Sequence, residues 1–260
     1  MPMHYLMRNR PGERARQEVR RAWRHTVRKN VTAWVCLILL AVIFSEVISF
    51  LPLPTWLRAF LLGFVTASVL ACLVWMVHVL SGAHGWTLGK LGEEATAAAV
   101  SGRKQRRKGW RLINGLYLAR HGDIDHILVG PGGVFAIESK WTSNPCRVEQ
   151  GSIVGLLGRE PVTQARDGAR KMERLLRHGP QQFDVTVQPV VVLWGPGGLR
   201  LDQGWTTVDG VLVCEGRRQK SWLRQLDGFV LDQPMVEKIQ GALVGQVTRQ
   251  VDQPISSATA

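Results

Sequence analysis

Cysteine is scarce and scattered, with four residues in 260. Cys36 and Cys72 fall inside apolar runs, and Cys146 and Cys214 lie far apart in the polar part. No Cys-x-x-Cys pair and no Cys/His cluster occurs. That excludes a structural zinc site and a disulfide scaffold, and suits a reducing compartment. Acidic residues are also few: 20 Asp and Glu against 33 Lys and Arg give a net charge of +13. Such an excess favours an anionic partner, nucleic acid or acidic lipid, although basic inner loops are ordinary in membrane proteins. No internal repeat occurs, and a secretory leader is not expected, because about thirty residues, too many for an n-region, precede the first apolar run and no small-residue cleavage site follows it.

The mean hydropathy of −0.01 hides two dissimilar regions. Nearly all the strongly apolar sequence lies in 31–80. An α-helix rises 1.5 Å per residue, so about 20 residues cross a hydrocarbon core of roughly 30 Å. Residues 31–51 meet that length with Glu46 as the only charge, near one end. Pro52 and Pro54 break the helix, and 57–80 forms a second span. Arg and Lys crowd the stretch before the first span (Arg20, Arg21, Arg24, Arg28, Lys29) and follow the second, whereas the connecting loop offers only Arg58. The positive-inside bias therefore predicts a multi-pass protein of the cell membrane with both termini and the polar domain cytoplasmic. Within the basic cytoplasmic segment 1–30, residues 13–29 have the spacing of an interfacial helix, with Val19, Trp23 and Val27 on one face.

The rest is long enough for one globular domain, expected over 86–248, with a polar, disordered tail at 249–260. After a linker at 81–85, an Ala-rich helix is predicted over 88–100 and strands over 110–118, 124–129 and 134–140. The Gly-Pro-Gly-Gly turn at 130–133 makes the last two a hairpin. A small hairpin around Gly151, a helix over 161–177, an apolar strand over 187–194, a strand over 208–214 and helices near 219–226 and 234–247 follow. Helices mixed with antiparallel and buried strands predict an α/β fold.

Asp125 and Glu138 interrupt apolar strands, and Lys140 lies two residues past Glu138. Side chains two apart on a strand share a face, so Glu138 and Lys140 point one way and Ser139 the other. In the hairpin Asp125 lies near them, while His126 points oppositely and is structural. Carboxylates are rarely buried unless paired or metal-bound. Two readings stay open on spacing alone. One is a cross-strand ion pair. The other is a Mg²⁺ site in which the cation acidifies a water and polarises a phosphoryl oxygen while the lysine offsets developing charge.

These residues also carry a resemblance. Gly-Lys-Leu-Gly-Glu over 89–93, Gly-Asp-Ile-Asp-His over 122–126, the Gly-rich turn and Ile-Glu-Ser-Lys over 137–140 resemble the nuclease-related domain (NERD) family. That family is similar to the PD-(D/E)XK nucleases, so the resemblance implies a restriction-endonuclease-like mixed sheet flanked by helices. It implies Asp125, Glu138 and Glu93 as ligands of Mg²⁺ or Mn²⁺, and Lys140 as the catalytic lysine. Gln164 matches a glutamine often found on the next helix; a solvent-facing helix residue is the other reading. The family context selects Glu93 over Glu94 and Asp125 over Asp123. Trp141 departs from the small or polar residue common at that place, which puts the shape of the metal site in question. The run Arg103, Lys104, Arg106, Arg107, Lys108 suits phosphates, anionic lipid or a solvated loop. The expectation is a membrane-anchored, metal-dependent nuclease acting on nucleic acid, DNA more than RNA. The alternative is an inactive nuclease-fold module that binds nucleic acid or protein at the membrane.

Overall fold

The computed structural model describes residues 11–102, 105, 107–118, 122–149, 152–156 and 160–252. The chain divides into two compact units, Arg14–Thr87 on one side and Met1–Glu13 with Leu88–Ala260 on the other.

The first unit is helical. Helix α1 (Glu13–Lys29) is amphipathic, as expected, and ends on Arg28 and Lys29, cations that favour the negative end of the helix dipole. Helices α2 (Val31–Phe50) and α3 (Thr55–Leu80) are 20 and 26 residues long, with mean hydropathies of 2.5 and 2.4. Both are long and apolar enough to cross a membrane. A soluble core helix of this composition would be covered by protein, yet only 11% and 0% of the two apolar windows are buried. Leu40, Phe44, Phe60 and Trp75 instead present more than half their surface outward. Helix α4 (Ala83–Val100), which from Leu88 on belongs to the second unit, follows a turn at Gly82, whose φ of 64 is the left-handed conformation that glycine adopts freely. The linker expected over 81–85 is thus shorter than predicted, because nothing after Gly82 breaks a helix.

The second unit is built on a six-stranded mixed sheet of order β1-β2-β3-β6-β8-β7. Strands β1 (Arg111–Leu118), β2 (Gly122–Gly130) and β3 (Gly133–Trp141) form an antiparallel meander. A two-stranded hairpin, β4 (Arg147–Glu149) and β5 (Ser152–Val154), and helix α5 (Pro161–His178) lead to β6 (Val187–Trp194), which runs parallel to β3. Strands β7 (Trp205–Val208) and β8 (Val211–Glu215) complete the sheet, followed by α6 (Gln219–Trp222) and α7 (Gln233–Asp252).

Strand alternation sends Ile127, Val129, Val134 and Ala136 to one face, where Met172 and Leu176 of α5 and Ile239 and Leu243 of α7 cover them. Leu128, Phe135, Ile137, Val190 and Val192 face the other way, against Val100 of α4 and Trp222. Both sheet faces are therefore covered by helices, the α/β arrangement the sequence predicts.

Three elements differ from expectation. The strand predicted over 208–214 is a hairpin turning at Asp209 and Gly210, both at positive φ (48 and 76). An Asp-Gly pair is the signal for that tight turn. The helix predicted near 219–226 stops at Trp222, whose side chain is swallowed by the core. Helix α7 runs on to Asp252, so the first residues of the expected disordered tail are helical; residues 253–260 of that tail lie outside the described residues.

Candidate active site

The meander brings the candidate residues together at one sheet end. Strands β2 and β3 pair from Gly130↔Gly133 to His126↔Ile137 and then part. Asp125 stands where they part, and its Oδ2 accepts a hydrogen bond from the Ser139 backbone N–H at 2.8 Å. Opposite it, Lys140 Nζ lies 2.8 Å from Glu138 Oε1, with side-chain exposures of 31% and 5%. Ser139 points away, as the period of two requires, and its hydroxyl donates to Thr96 Oγ1 of α4 at 2.7 Å.

Thr96 is the pin of the site. Its buried hydroxyl also accepts from the indole Nε1 of Trp194 at 2.7 Å, so one side chain ties α4 to both β3 and β6. One helical turn earlier on α4 is Glu93. That turn lies against the end of β3: a Cβ on Gly92 would be in van der Waals contact, 3.4 Å, with the Lys140 carbonyl carbon. Glu93 Oε2 accepts from the Gly12 backbone N–H at 2.8 Å. The neighbouring Glu94 instead pairs along the helix with Lys90 at 3.7 Å. Trp141 alternates away from the carboxylates and packs with the cluster under α4, so its bulk does not enter the site.

Electrostatics at this end follow from burial. Burial and the adjacent Asp125 push the Glu93 carboxyl up to about 8, against the lowering hydrogen bond from Gly12. Burial, then the Glu138 charge, hold Asp125 well above the usual carboxylate range. Burial also raises Glu138, with Lys140 working the other way. For Lys140 burial pulls the ammonium down, but the Glu138 carboxylate and its hydrogen bond outweigh that and raise it. The pocket thus gathers more negative charge than its one lysine offsets.

His126 is fully buried on the opposite face, where its Nδ1 shares a 2.8 Å hydrogen bond with Asn114 Oδ1. Burial lowers its pKa to about 3, so it stays neutral and structural.

Not every sequence candidate joins this group. Gln164 is half-buried in the first turn of α5, on the helix that packs along β3 and β6; no hydrogen bond joins it to the carboxylates among the described residues. Arg103, Lys104 and Arg106 lie outside the described residues. Arg107 and Lys108 precede β1 at the end where Arg111 pairs with Val129, roughly 20 Å along the strands from Lys140. Lys108 there holds an ion pair with Asp227 at 2.6 Å.

The model of the family described as nuclease-related domain (NERD) matches residues 88–194, from the turn of α4 before Glu93 to the last residue of β6. The chain carries a nuclease-related domain. No curated protein and no solved structure matches the chain. The NERD segment contains Glu93, Asp125, Glu138, Lys140 and Gln164, together with the pin residues Thr96, Ser139 and Trp194. Reasoning from sequence missed Thr96; the one available signal is a hydroxyl in an otherwise Ala-rich helix.

The donor chemistry of the NERD site fits a hard divalent cation. Its candidate ligands are carboxylate oxygens whose pKa values burial and neighbouring carboxylates raise, and a cation relieves both costs. Among the described residues no three His, Cys, Asp or Glu side chains already stand as a metal cage. Lys140 and the backbone N–H groups of Ser139 and Gly12 hold the carboxylates instead.

Proposed function

We propose that the NERD domain hydrolyses phosphodiester bonds of nucleic acid, DNA in preference to RNA, at a membrane face. The observation that carries this reading is the Glu138–Lys140 pair on one face of β3, with Asp125 fastened beside it to the Ser139 amide. A surface ion pair needs no second buried carboxylate, whereas phosphoryl transfer uses both charges. Asp125 and Glu138, with Glu93 as third carboxylate, would hold Mg²⁺ or Mn²⁺. Such a cation supplies polarisation of the phosphoryl group and a lower pKa for the attacking water. Lys140 contributes a fixed positive charge beside the phosphate, where negative charge grows as water adds and the leaving oxygen departs. Glu138 sets the position of that ammonium, and Thr96 sets the height of Glu93 through α4. Gln164, on the first turn of α5, is the polar group available to orient the substrate strand.

Helices α2 and α3 serve as the anchor, with the domain on the cytoplasmic side. Their exposed apolar surface and the Arg- and Lys-rich flanks support this. The test uses full-length protein in detergent micelles, incubated with single-stranded, duplex and branched DNA and with RNA, in Mg²⁺, Mn²⁺ or chelator. Wild type should cut only with metal, and Lys140→Ala and Asp125→Asn should not cut. Equal cleavage by all three proteins, or none by wild type, removes the enzyme reading. Metal-independent binding without cleavage supports the alternative, an inactive module.

A further inference from the structure

A cavity of about 710 Å³ opens beside the last strands of the sheet, lined by Trp205, Arg217, Lys220, Gln203 and Gln219, with Asp202 as its acid. Its cations differ in their commitments. Arg218 is held by the carbonyl oxygens of Leu201 and Asp202 and by Glu215 at 3.7 Å. Arg217 and Lys220 are exposed and have no carboxylate partner among the described residues. Two unpaired cations, side-chain amides and a half-buried indole in one cavity match the parts of a nucleotide: phosphate, base edge and base face.

Its position ties it to the carboxylate site. Strands β3, β6 and β8 are parallel, and Lys140 pairs in register with Leu193 and Leu193 with Glu215. Lys140 and Glu215 thus stand in one row at the carboxyl ends of these strands, two strand spacings or about 10 Å apart. Arg217 follows Glu215 by two residues. The turn between them is fixed, because the Trp194 ring lies against Gly216 where any Cβ would collide, and Trp194 is held by Thr96. Arg217 and Lys220 therefore follow the sheet end that carries Lys140, with Trp205 of the same cavity on the α4 face. Arg107 and Lys108, before β1, stand at the opposite end of the sheet.

We propose that this cavity is an anchoring subsite for a nucleotide of the substrate strand, with its phosphates on Arg217 and Lys220 and its base beside Trp205. The proposal rests on the nuclease reading above, but its test needs no cleavage. Binding of a fluorescent 20-nucleotide single strand to the full-length chain in detergent is followed by anisotropy, in chelator, across a salt series. Arg217→Ala with Lys220→Ala should weaken binding about 10-fold and reduce the log–log salt slope by about 1.4, two phosphate contacts at roughly 0.7 each. A charge-matched variant, Arg170→Gln with Lys238→Gln, should stay within about two-fold of wild type. Both pairs change exposed side chains, and unchanged melting temperatures confirm intact folding. Wild-type affinity in the cavity variant, equal weakening by the charge-matched control, or no binding by wild type overturns the proposal. So does loss of binding to free deoxyadenosine monophosphate with the 20-mer unaffected, which marks a mononucleotide pocket instead. Binding through Arg217 and Lys220 without metal-dependent cutting leaves this inference standing and sinks the nuclease reading alone.

Discussion

Replacing Lys140 with methionine removes one partner of an ion pair whose other partner is buried. Breaking a fully buried pair typically costs about 3–5 kcal/mol. The Glu138 side chain is 5% exposed and that of Lys140 31%, so water screens part of the interaction and about 2 kcal/mol is the working figure. For a domain of this size that lowers the melting temperature by about 4–8 °C. The loss depends on pH with a definite sign. Lys140 has a raised pKa, so its contribution is present below its ordinary value and disappears only as pH rises through the folded one. Glu138 is also raised, so as pH falls through its folded value the carboxylate takes a proton and the pair dissolves in wild type as well. The deficit of the variant should therefore shrink as pH is lowered through the acidic range. Thermal unfolding of the full-length chain in detergent with chelator, followed by near-ultraviolet circular dichroism over a series of pH values, measures this. A deficit that does not change with pH, or a variant more stable than wild type at neutral pH, refutes the assigned pair.

Further expectations concern other parts of the fold. Thr96→Val strands two buried donors, the Ser139 hydroxyl and the Trp194 indole; at about 1–3 kcal/mol each, denaturant titration should show a loss of about 2–6 kcal/mol, and Thr96→Ser should recover most of it. His126 is neutral when folded, with a pKa near 3, but titrates at its ordinary 6.5 when unfolded. The unfolded chain therefore binds more protons below pH 6.5, and stability should decline by up to about 1.4 kcal/mol per pH unit toward pH 3, a slope that His126→Leu should flatten in the same titration. Glu93 has the opposite dependence: its folded pKa near 8 makes the carboxylate a growing burden as pH rises from 4.5. At pH 8, added Mg²⁺ should raise the melting temperature of wild type and leave that of Asp125→Asn unmoved. Protease added outside sealed cells should spare the NERD domain if the anchor is oriented as proposed.

Much of this site was readable because local periodicity carried it. The two-residue alternation in Ile-Glu-Ser-Lys places Glu138 and Lys140 together and sends Ser139 to Thr96, and the Gly-rich turn at 130–133 brings β2 back toward β3. The uninterrupted apolar lengths of α2 and α3 are equally local. What stayed hidden depends on contacts distant in sequence. Nothing near Thr96 announces that its hydroxyl meets a strand 43 residues on and another 98 residues on. The parallel pairing that lines Glu215 up with Lys140 runs through β6, so the basic cavity could not be placed beside the carboxylates from sequence. Charge density alone pointed to 103–108, whose described residues Arg107 and Lys108 lie at the other sheet end. The Asp-Gly turn at 209–210 was a local signal, and it was overlooked because the flanking residues read as one apolar strand.

Whether Asp125, Glu138 and Lys140 act as one hydrolytic site is decided by single-turnover cleavage of labelled DNA. Full-length protein in excess over substrate should cut with Mg²⁺ and stop in chelator. Lys140→Ala should cut at least about 100-fold more slowly, the loss typical of removing a group that stabilises the transition state. Metal-dependent cutting that persists at the wild-type rate in Lys140→Ala would show that Lys140 takes no part in hydrolysis.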